Sequence, residues 1–242
     1  MEIEKEINRR IREYRTGDDY SPLKVELGVT PPIYFTSPYL HLDGILNYLC
    51  TRDALGELFY CMPSNKTIYT HDLDLPVART EDVYHTSIGI YGDCNKVQVD
   101  TIYKRFTDKE TYHLSRRHQK GRVKTNQGHF KDFMINLPAL ITNKIIFYCK
   151  GDKKELKRLL GHLTHIGKKT SIGSGRIHHV RLTKTEYDYS FFKDNELMRV
   201  IPARMKVPIV EGTVFQREAY KPPYWDKNNV TMCRVPSSQV KI

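Results

Sequence analysis

The chain has 242 residues, 39% of them apolar, enough for a real core in one large domain or two small ones. Its 39 Lys and Arg against 28 Asp and Glu give a formal charge of +11 and a pI near 9.3; such an excess, without an amphipathic membrane pattern, points to nucleic acid, although composition by itself leaves ribosomal and membrane-surface roles open. Five scattered cysteines (Cys50, Cys61, Cys94, Cys149, Cys233) without a C-x-x-C, a charged start and no apolar run of about 18 residues argue against disulfides, structural zinc and a bilayer span.

Ile3, Ile7, Ile11 and Tyr14 recur at three- and four-residue spacing, which predicts an amphipathic helix stopped by Gly17 and Pro22 and lying on the domain or on a neighbour. KVELGVTPPIYF (24–35) reads as a strand whose Pro31 and Pro32 suit a sheet edge or a strand exit. LHLDGILNYLCTRDALGELFYC (40–61) carries Leu42, Ile45, Leu46, Leu49, Leu55, Leu58 and Phe59 as a helical stripe. Asp43 falls in its first turn, where the positive end of the helix dipole favours a carboxylate. Residues 63–85 are poorly periodic, and TSIGIYG with NKVQVDTIYKRF (86–106) reads as two strands around a turn at Gly92 to Asn95.

The next block changes character. From Tyr103 to Lys131 there are nine Lys or Arg against Asp108 and Glu110, a net of +7 with little apolar periodicity. A solvated surface would mix signs. The expectation is a projecting basic hairpin or loop that orders on an anionic ligand.

FMINLPALI and TNKIIFYCKG (133–151) are strand-like, and DKKELKRLLGHLTHI (152–166) follows as a helix, N-capped by Asp152 and striped by Leu156, Leu159, Leu160 and Leu163. RIHHVRLTKTEY (176–187) resumes as a strand. The order strand, helix, strand, strand, helix, loop, strand is that of an α+β, ferredoxin-like unit. The C-terminal 45 residues, with MRVIPARMKVPIV and AYKPPYWDKNN, predict extended packing over the core; Trp225 is alternatively an aromatic knob for a partner protein.

Between the second helix and its following strand lies IGKKTSIGSGR (166–176). It fails as a Walker loop, because Gly161 and Gly167 are separated by five residues and Gly167 is followed by two lysines. It fails as a dinucleotide fingerprint, because His178 stands where the third glycine belongs and the flanks run from helix to strand. A loop whose backbone approaches a polyanion fits: Lys168, Lys169 and Arg176 neutralise phosphates while Thr170, Ser171, Ser174 and bare amides hydrogen-bond to them.

HLDGIL opening the first long helix, the basic stretch ending GRVKTNQGHFKDF, the loop GKKTSIGSGR, and a closing MRVIP with KPPYW together resemble the CRISPR-associated RAMP superfamily, and within it the type IV subunit that caps the 5′ handle of the guide RNA. The resemblance runs from about residue 24 to the end, leaving residues 1–20 as an added helix before a single domain of 21–242. It implies an RNA-recognition-like, ferredoxin-like RAMP fold with an extended C-terminal segment, a basic thumb at 104–131 and a phosphate-clamping loop at 167–176. Implied partners are the guide RNA and the backbone and large subunits of a type IV effector complex in the cytoplasm, with target DNA nearby, no membrane and no cofactor.

The expected RNA contacts are Lys104, Arg105, Arg116, Arg117, Lys120, Arg122, Lys124, Thr125 and Lys131 on the thumb, and Gly167, Lys168, Lys169, Thr170, Ser171, Gly173, Ser174, Gly175 and Arg176 on the loop. Phe106, Tyr112, His129 and Phe130 are stacking candidates or thumb core. Some relatives are metal-independent ribonucleases, which makes His41 an alternative general acid or base with Lys168 or Lys169 as the stabilising cation. Metal-dependent nuclease or ATPase chemistry lacks both an acidic cluster and a valid Walker loop. A general RNA chaperone would explain the charge but not the three separate motifs.

Overall fold

The computed structural model describes residues 2–35, 37, 39–62, 73–92, 96–107, 109–110, 113 and 124–237. Helix α1 (Glu2–Glu13) leads into β1 (Tyr20–Thr30), β2 (Ile33–Tyr34) and α2 (Leu42–Leu55), which a 3₁₀ turn extends through Cys61. Then come β3 (Arg79–Thr80), β4 (Val83–Tyr84), β5 (Ile90–Tyr91), β6 (Lys96–Lys104), β7 (Phe133–Ile141) and β8 (Lys144–Asp152). Helix α3 (Lys153–Leu160), β9 (Arg176–Lys184), β10 (Phe192–Lys193), β11 (Glu196–Leu197), β12 (Ile201–Pro202), β13 (Val214–Ala219) and β14 (Val230–Val235) complete the order.

The main sheet runs β5-β8-β1-β9, with β1 antiparallel to both β8 and β9. Period-two alternation sets its faces: Leu23, Val25 and Leu27 are buried while Lys24 and Glu26 between them are not. Phe147 on β8 packs in the same core as Leu46 and Leu49 of α2 and Leu156 and Leu159 of α3. The Asp152 carboxylate caps α3 by accepting from the amides of Lys154 and Glu155, as its sequence predicts. Helix α1 joins this core through Ile7 and Ile11, at 0% and 1% exposure, and Arg10 donates to the Leu55 carbonyl at the end of α2.

β1 is a central strand, and of the two places its prolines suit, Pro31 and Pro32 take the strand exit; Pro22 lies near its start, where its carbonyl accepts from the Thr185 amide. Three expectations change. The segments around Gly92 do not pair with each other. β5 joins β8 in the main sheet, whereas β6 pairs along its length with β7, and β2 completes a second sheet, β2-β7-β6. Helix α3 ends at Leu160 rather than 166, with Gly161 as its C-cap. The C-terminal stretch is more than an extended cover, for β12-β14-β13 form a third sheet around a second apolar cluster that includes Val200, Ile201, Tyr220 and Cys233.

Candidate nucleic-acid interface

The glycine loop is held in shape by the chain leaving β1. The Lys168 amide donates to the Tyr34 carbonyl at 2.7 Å, and the Gly175 amide and Ser174 hydroxyl both donate to the Pro32 carbonyl, at 3.0 and 2.8 Å. Gly175 has φ +63°, and a Cβ there would lie 2.0 Å from the Ile166 carbonyl oxygen; Gly167 has φ +88°, and its Cβ would meet the Tyr34 carbonyl at 2.7 Å. Both positions therefore demand glycine for conformation and for room. Ser174 and Gly175 are buried, so of the expected contacts these two shape the loop from inside. Gly167, Lys168, Thr170, Ser171, Gly173 and Arg176 are exposed and Lys169 is half-buried.

The β6–β7 pair carries the basic connection at its far end. Phe106 and Phe130 meet edge to face at 5.4 Å, and the Asp132 side chain accepts from the Phe106 amide while its own amide donates to the Thr125 carbonyl. Phe106 and Phe130 thus form the small core of this base. Arg105, Lys124 and Lys131 are exposed around it. Arg116, Arg117, Lys120, Arg122 and Tyr112 lie outside the described residues, as does the His129 side chain.

The two predicted cationic elements meet at Phe133, the first residue of β7. The Lys169 ammonium of the glycine loop lies 5.0 Å from its ring centroid, and the Lys104 ammonium, at the end of β6, lies 5.7 Å from it. Aromatic faces attract cations at such distances. One ring therefore anchors a lysine from each element, and the positive charge of loop and hairpin base forms one patch.

Behind the loop, HLDG, MRVIP and KPPYW converge. Arg199 and Asp43 are both wholly buried and paired at 2.8 Å. The guanidinium also donates to Thr86 and to the Tyr220 carbonyl, and the Tyr224 hydroxyl donates to the other Asp43 oxygen at 2.7 Å. Burial opposes charge on both partners, but their mutual attraction outweighs it, holding the Asp43 carboxyl below its ordinary value and raising Arg199. The Tyr224 ring stacks on His41 at 4.1 Å between centroids and 12° between planes. A Cβ at Gly44 would press on that ring at 3.2 Å, which explains a glycine inside α2.

Asp43 stands in the first turn of α2, as its sequence position predicts, and is there the buried partner of Arg199. Arg199, Tyr224 and Phe133 were missed as site residues. An arginine enclosed by Met198, Val200 and Ile201 is the available signal, since a charge inside an apolar run needs a buried counter-ion.

A cavity of about 840 Å³ opens between α2, the glycine loop and β13, with His41, Gly167, Thr170, Ser171 and Tyr224 among its lining. Lys168 lines a smaller cavity of about 180 Å³ that adjoins it through Ser37, Tyr39, Leu40 and Gly167. Burial pushes the His41 imidazole down to about 3, with Asp43 opposing and Arg199 adding to the effect, and its Nδ1 has no partner. The ring is neutral at pH 7, without the proton a general acid would deliver.

A mixed α+β protein of antiparallel sheets, with exposed cations on a glycine-shaped loop and on the hairpin base beside it, has attributes of a polyanion binder. Among the described residues no helix is long and apolar enough to cross a membrane. Residues 92–236 match the family model for the CRISPR type IV associated protein Csf3, and the chain belongs to that family. The matched span holds the glycine loop, Arg199 and Tyr224. No curated protein sequence matches the chain. Among solved structures, a chain from the cryo-EM structure of the Type III-B Cmr-beta bound to cognate target RNA aligns over 68% of this chain, at 11% identity and a TM-score of 0.38. The alignment covers 61% of that chain.

Proposed function

We propose that this protein is a non-catalytic RNA-binding subunit of a type IV CRISPR complex, gripping the 5′ handle of the guide RNA and docking on the backbone subunit. Residues 21–242 are read as one ferredoxin-like RAMP domain with residues 1–20 as an added helix. The strand order β5-β8-β1-β9, with α2 and α3 in the two crossovers, supports that reading. The segment 104–131 is its thumb, carried on β6 and β7.

The observation that carries the proposal is the shared anchoring of Lys104 and Lys169 on Phe133, which merges hairpin base and glycine loop into one cationic grip. Single-stranded RNA is held by such patches through its phosphates, with bases stacked on planar side chains. Trp225, 59% exposed, offers an aromatic contact for docking. In the test, the protein is co-purified with its complex and the guide RNA is probed for protection of its 5′ end. Lys168→Glu with Lys169→Glu should abolish protection. Protection unchanged in that variant, or equal binding of any RNA without a defined end, would overturn the proposal. Incubation with repeat RNA in EDTA should leave the RNA intact; cleavage lost on His41→Ala would establish the ribonuclease instead.

A further inference from the structure

We infer that the large cavity behind the glycine loop receives an unstacked nucleobase of the RNA whose phosphates the loop holds, an inference that rests on the RNA-binding reading above. At about 840 Å³ it falls within the roughly 300–1,000 Å³ of sites that enclose small organic ligands, and far exceeds what an ion needs. Its walls have the chemistry a base requires. The parallel stack of Tyr224 on His41 supplies a flat aromatic surface, and Ile45 and Leu163 supply apolar lining. Thr170 and Ser171 bring hydroxyls, which donate and accept and so match either kind of group on a base edge.

Three features favour a nucleotide over an unrelated small molecule. The cavity lining and the lysines of the grip belong to one loop: Thr170 and Ser171 face the chamber, and Lys168 and Lys169 directly precede them in sequence. A phosphate held by those amines and a base entering the chamber then belong to the same nucleotide or to adjacent ones. Second, His41 is more than nine-tenths buried with Nδ1 unpartnered, so the chain's own hydrogen bonds do not account for its placement. A neutral planar ring on a cavity wall is accounted for by stacking. Third, α2 forgoes a side chain at Gly44, the position where a Cβ would crowd Tyr224 out of the stack.

The test uses the full-length protein and a set of RNAs matching the 5′ region of the guide, each carrying one abasic nucleotide at a different position, with affinity read by fluorescence anisotropy. One position, or two adjacent ones, should weaken binding by about ten-fold or more, the scale of losing a base–aromatic stack, while the others stay within about two-fold. In Ser171→Trp, whose indole occupies the mouth of the chamber, intact RNA should weaken by a similar factor and the abasic penalty should vanish. Thr170→Val repeats the cycle with a smaller change should the indole prevent folding, judged by circular dichroism, and should reduce the same penalty. If all abasic RNAs bind like the intact one while Lys168→Glu with Lys169→Glu still removes binding, the cavity inference falls and the RNA-binding reading stands. Absence of RNA binding by the unmodified protein would sink both.

Discussion

The guanidinium of Arg199 and the carboxylate of Asp43 lie 2.8 Å apart with no solvent on either, joining the segment just before β12 to the first turn of α2 across 156 positions of sequence. Removing one member of such a pair leaves a buried charge without compensation, which costs about 3–5 kcal/mol. Asp43→Ala and Arg199→Met should each lower stability by that order in urea unfolding. The double variant should lose clearly less than the sum, because neither charge is then stranded.

Stability should fall with acid in a window set by His41. Its folded value of about 3 lies below the ordinary 6.5, so the unfolded chain binds the proton first. Stability therefore rises with pH between those values, by up to about 1.4 kcal/mol per pH unit for this one group, and the effect levels off below pH 3 and above pH 6.5. His41→Phe should flatten the pH dependence of the unfolding midpoint over that window. An unchanged slope would show that the buried ring does not govern it.

Gly175 and Gly173 offer a matched contrast. Both have positive φ, but a Cβ at Gly175 would strike the Ile166 carbonyl, whereas one at Gly173 meets nothing within 4 Å. Gly173→Ala should cost about 1 kcal/mol of conformational strain. Gly175→Ala should cost about 2 kcal/mol or more, because backbone must move as well. Thermal unfolding of the two variants compares them directly.

If Lys169 contacts a phosphate, its share of affinity is ionic and depends on salt. Lys169→Gln should reduce the slope of log affinity against log salt by about 0.7, the value for one phosphate of a single strand. Arg9, on α1 and engaged with Glu6 and Glu13, serves as the control, and Arg9→Gln should leave the slope unchanged.

Much of this architecture is legible in the chain. Leu156, Leu159 and Leu160 at helical spacing and the Asp152 cap are local signals that produced a helix, though one ending at Leu160, and the segment from Lys24 produced a strand, though one ending at Thr30. The glycine loop was legible because glycine and lysine concentrate there. What failed was pairing. Residues on either side of Gly92 look like the arms of one hairpin, yet Tyr91 pairs with Ile145 and Val97 with Leu140, and no local pattern encodes that division. The same holds for the role of Asp43, since its partner is distant in sequence and the dipole of α2 offered a sufficient local reason for an acid there. Phe133 escaped notice because a strand-starting phenylalanine reads as core until the lysines beside it are seen in space.

The central place of β1 has a consequence for how the chain assembles. Its two neighbours, β8 and β9, begin 124 and 156 residues after Tyr20. During synthesis the first strand therefore emerges long before either ladder can close, and Leu23, Val25 and Leu27 have no mates until Cys149, Phe147 and Ile145 of β8 have been made, more than 115 residues later. Non-local closure of this kind is slow because loop entropy is lost before contacts compensate it. A nascent chain stalled before β8 should accordingly be sensitive to protease and adherent to chaperones.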